Sequence, residues 1–219
     1  MNVKSAYVLV SDLLKNMYIQ VKKMDERLQK QIDFIVKIDE EKNIERQTHL
    51  SHHGRRENDA EHAWHMAIMA FLLKEYANEE VDIARVMMLC LMHDIVEIEA
   101  GDTYAYDEEA KKTQAQRENA AADHLFAMLP EDQCMMMHEL FEEFEHGDTP
   151  EARFARAMDN FQPLLLNDAN DGESWIEHDV ARSSIDARQK KTAYGSEKLY
   201  EVIESILDRH MELGHIRKG

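Results

Sequence analysis

The chain has 219 residues, within reach of a single core, and sets 26 basic against 44 acidic side chains, a formal charge of −18. That charge repels polyanions, so a nucleic-acid polymer is not an expected partner, and a hydrophobic content of 44% excludes overall disorder. Seven Gly and three Pro are too few for the turns of a sandwich or barrel and favour long helices, and two cysteines, Cys90 and Cys134, suit a reducing cytoplasm better than a disulfide framework.

In chain order the pattern is helical throughout. The opening residues carry one Lys and an apolar run cut short by Asp12, too brief for a signal peptide, and no stretch approaches the ~18 apolar residues of a membrane span; a cytoplasmic protein with no membrane partner is expected. Val10, Leu13, Leu14, Met17 and Val21 make a helical stripe, and residues 1–23 read as a separate packing or dimerisation helix ahead of a main domain over 24–219. A second stripe is Leu28, Ile32, Ile35 and Ile38. Residues 43–58, rich in His, Arg and polar groups, read as the longest loop, with His49, His52 and His53 solvated in it. Asn58-Asp-Ala-Glu61 has the form of a capping box and opens a helix through residue 76. Asp82 caps the next helix, expected to run to Ala100 and stop at Gly101. Helices follow over 107–129, over 131–145 after Pro130, and to Leu166 from the cap Thr149 with Pro150 in its first turn. Residues 167–174 read as a loop, and 177–193 and 196–213 as two closing helices. Trp64, Trp175 and the run Met135–Met137 read as packing residues. With no period-two alternation of any length, the expected class is all-α.

The segment from Asp82 to Ala100 carries the most information. His93, Asp94 and Glu97 share one sector of a helix whose other residues, Val86, Cys90, Met88, Met92 and Ile95 among them, are nearly all apolar. A helix apolar almost all round is buried, and an isolated ionised carboxylate inside a core costs more than a domain's whole stability of about 5–15 kcal/mol. Compensation requires a proton, a basic side chain or a metal ion. His62 and His65 on the capping-box helix are both placed to supply an imidazole, and spacing does not choose between them. Asp159 shares a sector with Ala152 and Ala155, small residues that let another helix approach. Its alternative is a surface pair with Arg156, and Pro163 should kink this helix by denying the Asp159 carbonyl its partner.

A lone His, an adjacent His-Asp pair further on, and a distant Asp in mostly helical sequence resemble the HD-domain metal-dependent phosphohydrolases. The run Arg55-Arg-Glu-Asn-Asp-Ala-Glu-His62, followed by His93-Asp94-Ile-Val-Glu97 and Gly101-Asp102, is similar to the branch containing the bacterial 5′-deoxynucleotidases and their human-type relatives. The resemblance spans roughly residues 25–210 and implies an HD-domain helical bundle. It implies His62, His93, Asp94 and Asp159 as ligands of one divalent ion per chain, Mn, Co, Fe, Ni, Zn or Mg. It makes Glu97 the catalytic carboxylate, and Asp102 and Arg46 substrate contacts. Arg55 is a further candidate for offsetting phosphate charge. The implied activity is hydrolysis of a nucleoside 5′-monophosphate or similar small phosphate by water activated on the ion, and family members commonly form homodimers. The branch often has Trp after the Arg that Arg46 matches, whereas Gln47 follows here. Two further readings are a two-metal phosphodiesterase or oxygenase drawing on His124, His138 or His146, and a catalytically silent nucleotide-binding module.

Overall fold

The computed structural model describes residues 26–107 and 109–218. The expected helix over residues 8–21 lies outside them. The described chain is a helical bundle with one small antiparallel hairpin. Helix α1 (Glu26–Ile38) leads through a 3₁₀ turn into strands β1 (Glu45–His49) and β2 (Arg56–Asn58). Then come α2 (Asp59–Leu73), α3 (Ile83–Met92), the single turn α4 (Glu97–Ala100), α5 (Lys111–Phe126) and α6 (Glu131–His146). The long α7 (Pro150–Ala169), short α8 (Glu173–Glu177), α9 (Arg182–Gln189), α10 (Thr192–Gly195) and α11 (Glu197–Leu213) complete it.

Helix starts follow the capping residues. The Asn58 side chain accepts from the Glu61 amide while the Glu61 carboxylate accepts from the Asn58 amide, a reciprocal box that satisfies two otherwise orphaned donors of α2. Asp82, Thr149 and Ser196 cap α3, α7 and α11 with a side-chain oxygen that accepts from first-turn amides, and Gly147 ends α6 in the left-handed conformation. Pro163 sits inside α7 without ending it.

Helix α7 is the centre of the bundle, packed against α2, α3, α6, α10 and α11. Its Phe154, Ala155, Ala157 and Met158 are fully enclosed and meet a core that includes Met66, Leu89, Phe126, Ile203 and Leu207. Small residues on α7 allow α10 to come very close. A Cβ added at Gly195 would lie 2.2 Å from the Arg153 carbonyl oxygen, so only glycine permits this contact.

Four expectations are corrected. The helix expected to run to Ala100 breaks at His93, and residues 93–96 wind more tightly. The loop expected over 43–58 is the hairpin, whose five-residue strand Glu-Arg-Gln-Thr-His buries only Thr48 and so shows no apolar alternation. It is held by polar contacts instead: the Asn170 amide donates to the carbonyls of His49 and Leu50, and the Ser174 hydroxyl to that of Gln47. The stripe Leu28, Ile32 and Ile35 faces outward, while Phe34 is the residue of α1 that is buried. Trp64, Met135 and Met136 are exposed, whereas Trp175 and Met137 pack inside as expected. No helix among the described residues is long and apolar enough to cross a membrane.

Candidate metal centre

His62 on α2, His93 and Asp94 just beyond α3, and Asp159 on α7 are brought together by the packing of these three helices. Ligand atoms of His62, His93 and Asp94 lie within 4.8 Å of one another. His62 Nε2 is 3.4 Å from an Asp159 carboxylate oxygen, and His93 Nε2 is 3.0 Å from Oδ2 of Asp94. The tight winding after α3 places the next residue. The Glu97 amide donates to the Asp94 carbonyl at 2.8 Å and the Glu99 amide to that of Val96 at 3.2 Å, a 3₁₀ pattern in which residues three apart eclipse. Glu97 therefore stands over Asp94, with Asp59, Asp94 and Glu97 forming a second buried group within 4.8 Å.

Hydrogen bonding fixes the tautomers. The Gln162 amide nitrogen donates to Glu57 at 2.9 Å, which turns its oxygen to His62 Nδ1, also at 2.9 Å. His93 Nδ1 donates to the Cys90 carbonyl at 2.9 Å. Each Nδ1 thus carries the proton, and each Nε2 presents a lone pair; neither Nε2 has a hydrogen-bond partner, although both are buried. In both pairs an acceptor nitrogen faces a carboxylate in a dry interior, an arrangement that demands a cation between them. A divalent ion fits. Bonds of about 2.1 Å put adjacent ligand atoms about 3.0 to 3.4 Å apart at octahedral to tetrahedral angles. Without the ion a proton fills part of the need: burial opposes the charge on His93, but the Asp94 carboxylate outweighs it and draws the imidazole up to about 9. His62, by contrast, is depressed to about 4 by burial and by Arg46.

Arg46 on β1 reaches over the acidic side. Its Nη1 donates to Asp59 at 3.0 Å and to Asp94 at 2.7 Å. Burial works against ionising Asp94, yet His93 and Arg46 hold it below the usual carboxylate range. Glu97 goes the other way: burial, then the charges of Asp94 and Asp59, raise it well above its ordinary value. Burial lifts Asp59 and Glu57 to about 7 each. The site is therefore a buried acidic nest facing the Nε2 edges of two imidazoles, with one guanidinium on its flank.

The other expected residues divide. Asp102 lines the cleft that opens from Glu97 and Asp94, a space of about 660 Å³ that also reaches Asp159 and Arg188. It also borders a smaller inner compartment of about 70 Å³ beside Tyr104, Tyr106 and Trp175. Arg55 is not brought to the site. It is exposed and grips the Glu61 carboxylate, serving the start of α2. His65 faces Gln162 rather than the cluster, and Asp159 pairs with Arg188 while Arg156 donates to the carbonyls of Phe144 and Glu145. Asp59, Glu57 and Gln162 carry no comparable signal in the sequence. Asp59 is concealed inside a capping motif that accounts for it as a surface acid, and Gln162 has a signal only in retrospect, three residues after Asp159 on the same helix.

A family profile described as HD domain matches residues 38–200. A predicted metal-dependent phosphohydrolase from Magnetospirillum magnetotacticum MS-1 superposes with a TM-score of 0.84 and 45% identity, covering 88% of this chain and 96% of that one. The 5′-deoxynucleotidase HDDC2 of Xenopus laevis is 33% identical over 109 residues, 50% of this chain and 53% of that protein. The human protein of the same name is 32% identical over 111 residues, 51% of this chain and 53% of that protein, so the chain spans about half the length of these curated relatives. The paired imidazoles and carboxylates, the helical scaffold that joins them and the match over most of the sequence agree: this chain belongs to the HD-domain family.

Proposed function

We infer that the protein is a metal-dependent phosphomonoesterase acting on a nucleoside 5′-monophosphate or a similar small phosphate, with His62, His93, Asp94 and Asp159 holding one divalent ion. The observation that carries this reading is the pair of unpartnered Nε2 lone pairs facing carboxylates inside the core. When bound, the ion supplies positive charge to the phosphoryl group and makes the attacking water more acidic. Donors of nitrogen and oxygen type suit Mn, Co, Fe, Ni, Zn or Mg.

The chain's own groups do the rest. Glu97, with one carboxylate oxygen buried and unpartnered, is placed beside Asp94 to orient the water and accept its proton. Arg46 offsets anionic charge at the mouth of the site, and Asp102 borders the space for the rest of the substrate. This local positive centre admits an anionic ligand to a protein whose formal charge is −18. The names of the 5′-deoxynucleotidase relatives support a nucleotide as substrate.

A two-metal phosphodiesterase or oxygenase is less well supported. Between Asp59 and Asp94, where a second cation would sit, the Arg46 guanidinium already lies. His124 is bound to Glu99 at the surface, and His138 packs edge-on against Phe126. A silent nucleotide-binding module leaves the placement of Glu97 without purpose. Exposed Trp64, Ile68, Phe71 and Leu72 on α2, with Met88 and Leu91 on α3, support a homodimer. Two cysteines with a buried Cys90 support a cytoplasmic location.

A screen of ribo- and deoxyribonucleoside 5′-monophosphates with each divalent metal in turn tests the reading. We expect phosphate release that a chelator stops and added metal restores, with one ion per chain. Absence of release from every monoester by metal-loaded protein would refute it.

A further inference from the structure

The cleft leading to the metal centre is walled by more acids than a phosphate can tolerate unaided, Asp94, Glu97, Asp102, Glu118, Glu145 and Asp159. The three arginines along it are not equally available. Arg46 is committed to Asp59 and Asp94, and Arg156 to two main-chain carbonyls. Arg188 differs from both. Its hydrogen bonds use Nη2 alone and reach Asp159 only at 3.2 and 3.4 Å, the long end of the range for such a bond. A guanidinium has five donors in a fork matched to two phosphate oxygens, so most of its capacity remains. Arg188 also lines both the outer cleft and the inner compartment, where the two meet.

Its backbone is fixed for this position. Ile185, one turn earlier on α9, is fully buried, and Gln189 donates to the main-chain carbonyl of Asn160, the residue after Asp159, at 2.9 Å. Thr192 in turn donates to the Gln189 side chain. The last turn of α9 is thus clamped to α7 beside Asp159, leaving the Arg188 side chain partly exposed over the opening.

We propose that Arg188 is a substrate-binding residue whose guanidinium takes non-bridging oxygens of the phosphoryl group. This rests on the phosphomonoesterase reading above and adds a second cation to it. The test uses full-length, manganese-loaded wild type, Arg188→Met and Arg188→Lys. Affinity for inorganic phosphate is measured by calorimetry, KM and kcat by steady-state assay, and manganese per chain by elemental analysis. In Arg188→Met, phosphate affinity should fall and KM rise by about tenfold or more, as expected for loss of a charge-assisted hydrogen bond, with manganese content unchanged. Arg188→Lys should recover part of both, since it keeps the charge and loses the fork. Unchanged phosphate affinity and KM would overturn the proposal, and so would loss of manganese in step with activity, which would make Arg188 a support for Asp159 only. If wild type hydrolyses no monoester yet binds phosphate through Arg188, the phosphomonoesterase reading fails and the Arg188 assignment stands. If wild type turns over a monoester and Arg188→Met matches it in KM and phosphate affinity, the phosphomonoesterase reading stands and the Arg188 assignment fails.

Discussion

Glu97→Gln should retain its full complement of metal and lose about 10²- to 10⁴-fold in turnover, the usual worth of a positioned acid–base group. The substitution keeps size and polarity but removes the ability to accept a proton. It also leaves His62, His93, Asp94 and Asp159 with the partners described above. Glu97 occupies its place through local winding rather than through a ligand bond: the 3₁₀ turn from Asp94 brings it into register with that residue, and its buried Oε2 has no partner within the protein. Elemental analysis together with kcat at saturating substrate checks the prediction. A variant that kept near-normal turnover would remove Glu97 from the chemistry.

Asp94→Ala is expected to lose both ion and activity, and its effect should be the larger of the two. Mutating groups that merely orient a metal ligand costs about 10–100-fold in affinity, so removing a ligand should cost more. Asp94 also shares Arg46 with Asp59 and faces His93, so its loss unbalances the charge of the whole nest. Because an ion that binds only the folded state stabilises it by mass action, the wild type should melt at lower temperature when stripped by a chelator, and Asp94→Ala should be indifferent to the treatment. A fully loaded, active Asp94→Ala protein would contradict the assignment of ligands.

The helical class and most helix starts were legible because they rest on short-range rules. The Asn58-to-Glu61 box, the Thr149-Pro150 pair and the Gly147 stop act within a few residues, and each is found where the sequence places it. The hairpin was not legible, since its strands are secured by Asn170 and Ser174 from across the chain rather than by a greasy alternating face. The break at His93 was equally hidden. An unbroken α-helix explains the apolar pattern of residues 83–100 as well as a helix that tightens, and only the packing of α2 and α7 against its end distinguishes them. In the site, a compensating charge for His93 and Asp94 was demanded by burial, but burial alone allowed a buried arginine as well as an ion. The structure holds an arginine there, Arg46, which answers the carboxylates of Asp94 and Asp59 and leaves the two imidazole edges unanswered. Arg188 and Gln162 escaped notice because a polar residue on a short charged helix, or next to a proline, reads as solvated surface until the tertiary fold turns it inward.

The two tryptophans were expected to be alike and are opposites. Trp64 stands out in solvent with its ring stacked on His65, while Trp175 is enclosed at the wall of the inner compartment, close to Tyr106. Since the chain has no others, its intrinsic fluorescence divides into one emitter on the outer face of α2 and one shielded at the wall of the compartment. Molecules settling in the inner compartment perturb the shielded emitter alone, so the fold comes with a native optical gauge of occupancy that needs no label.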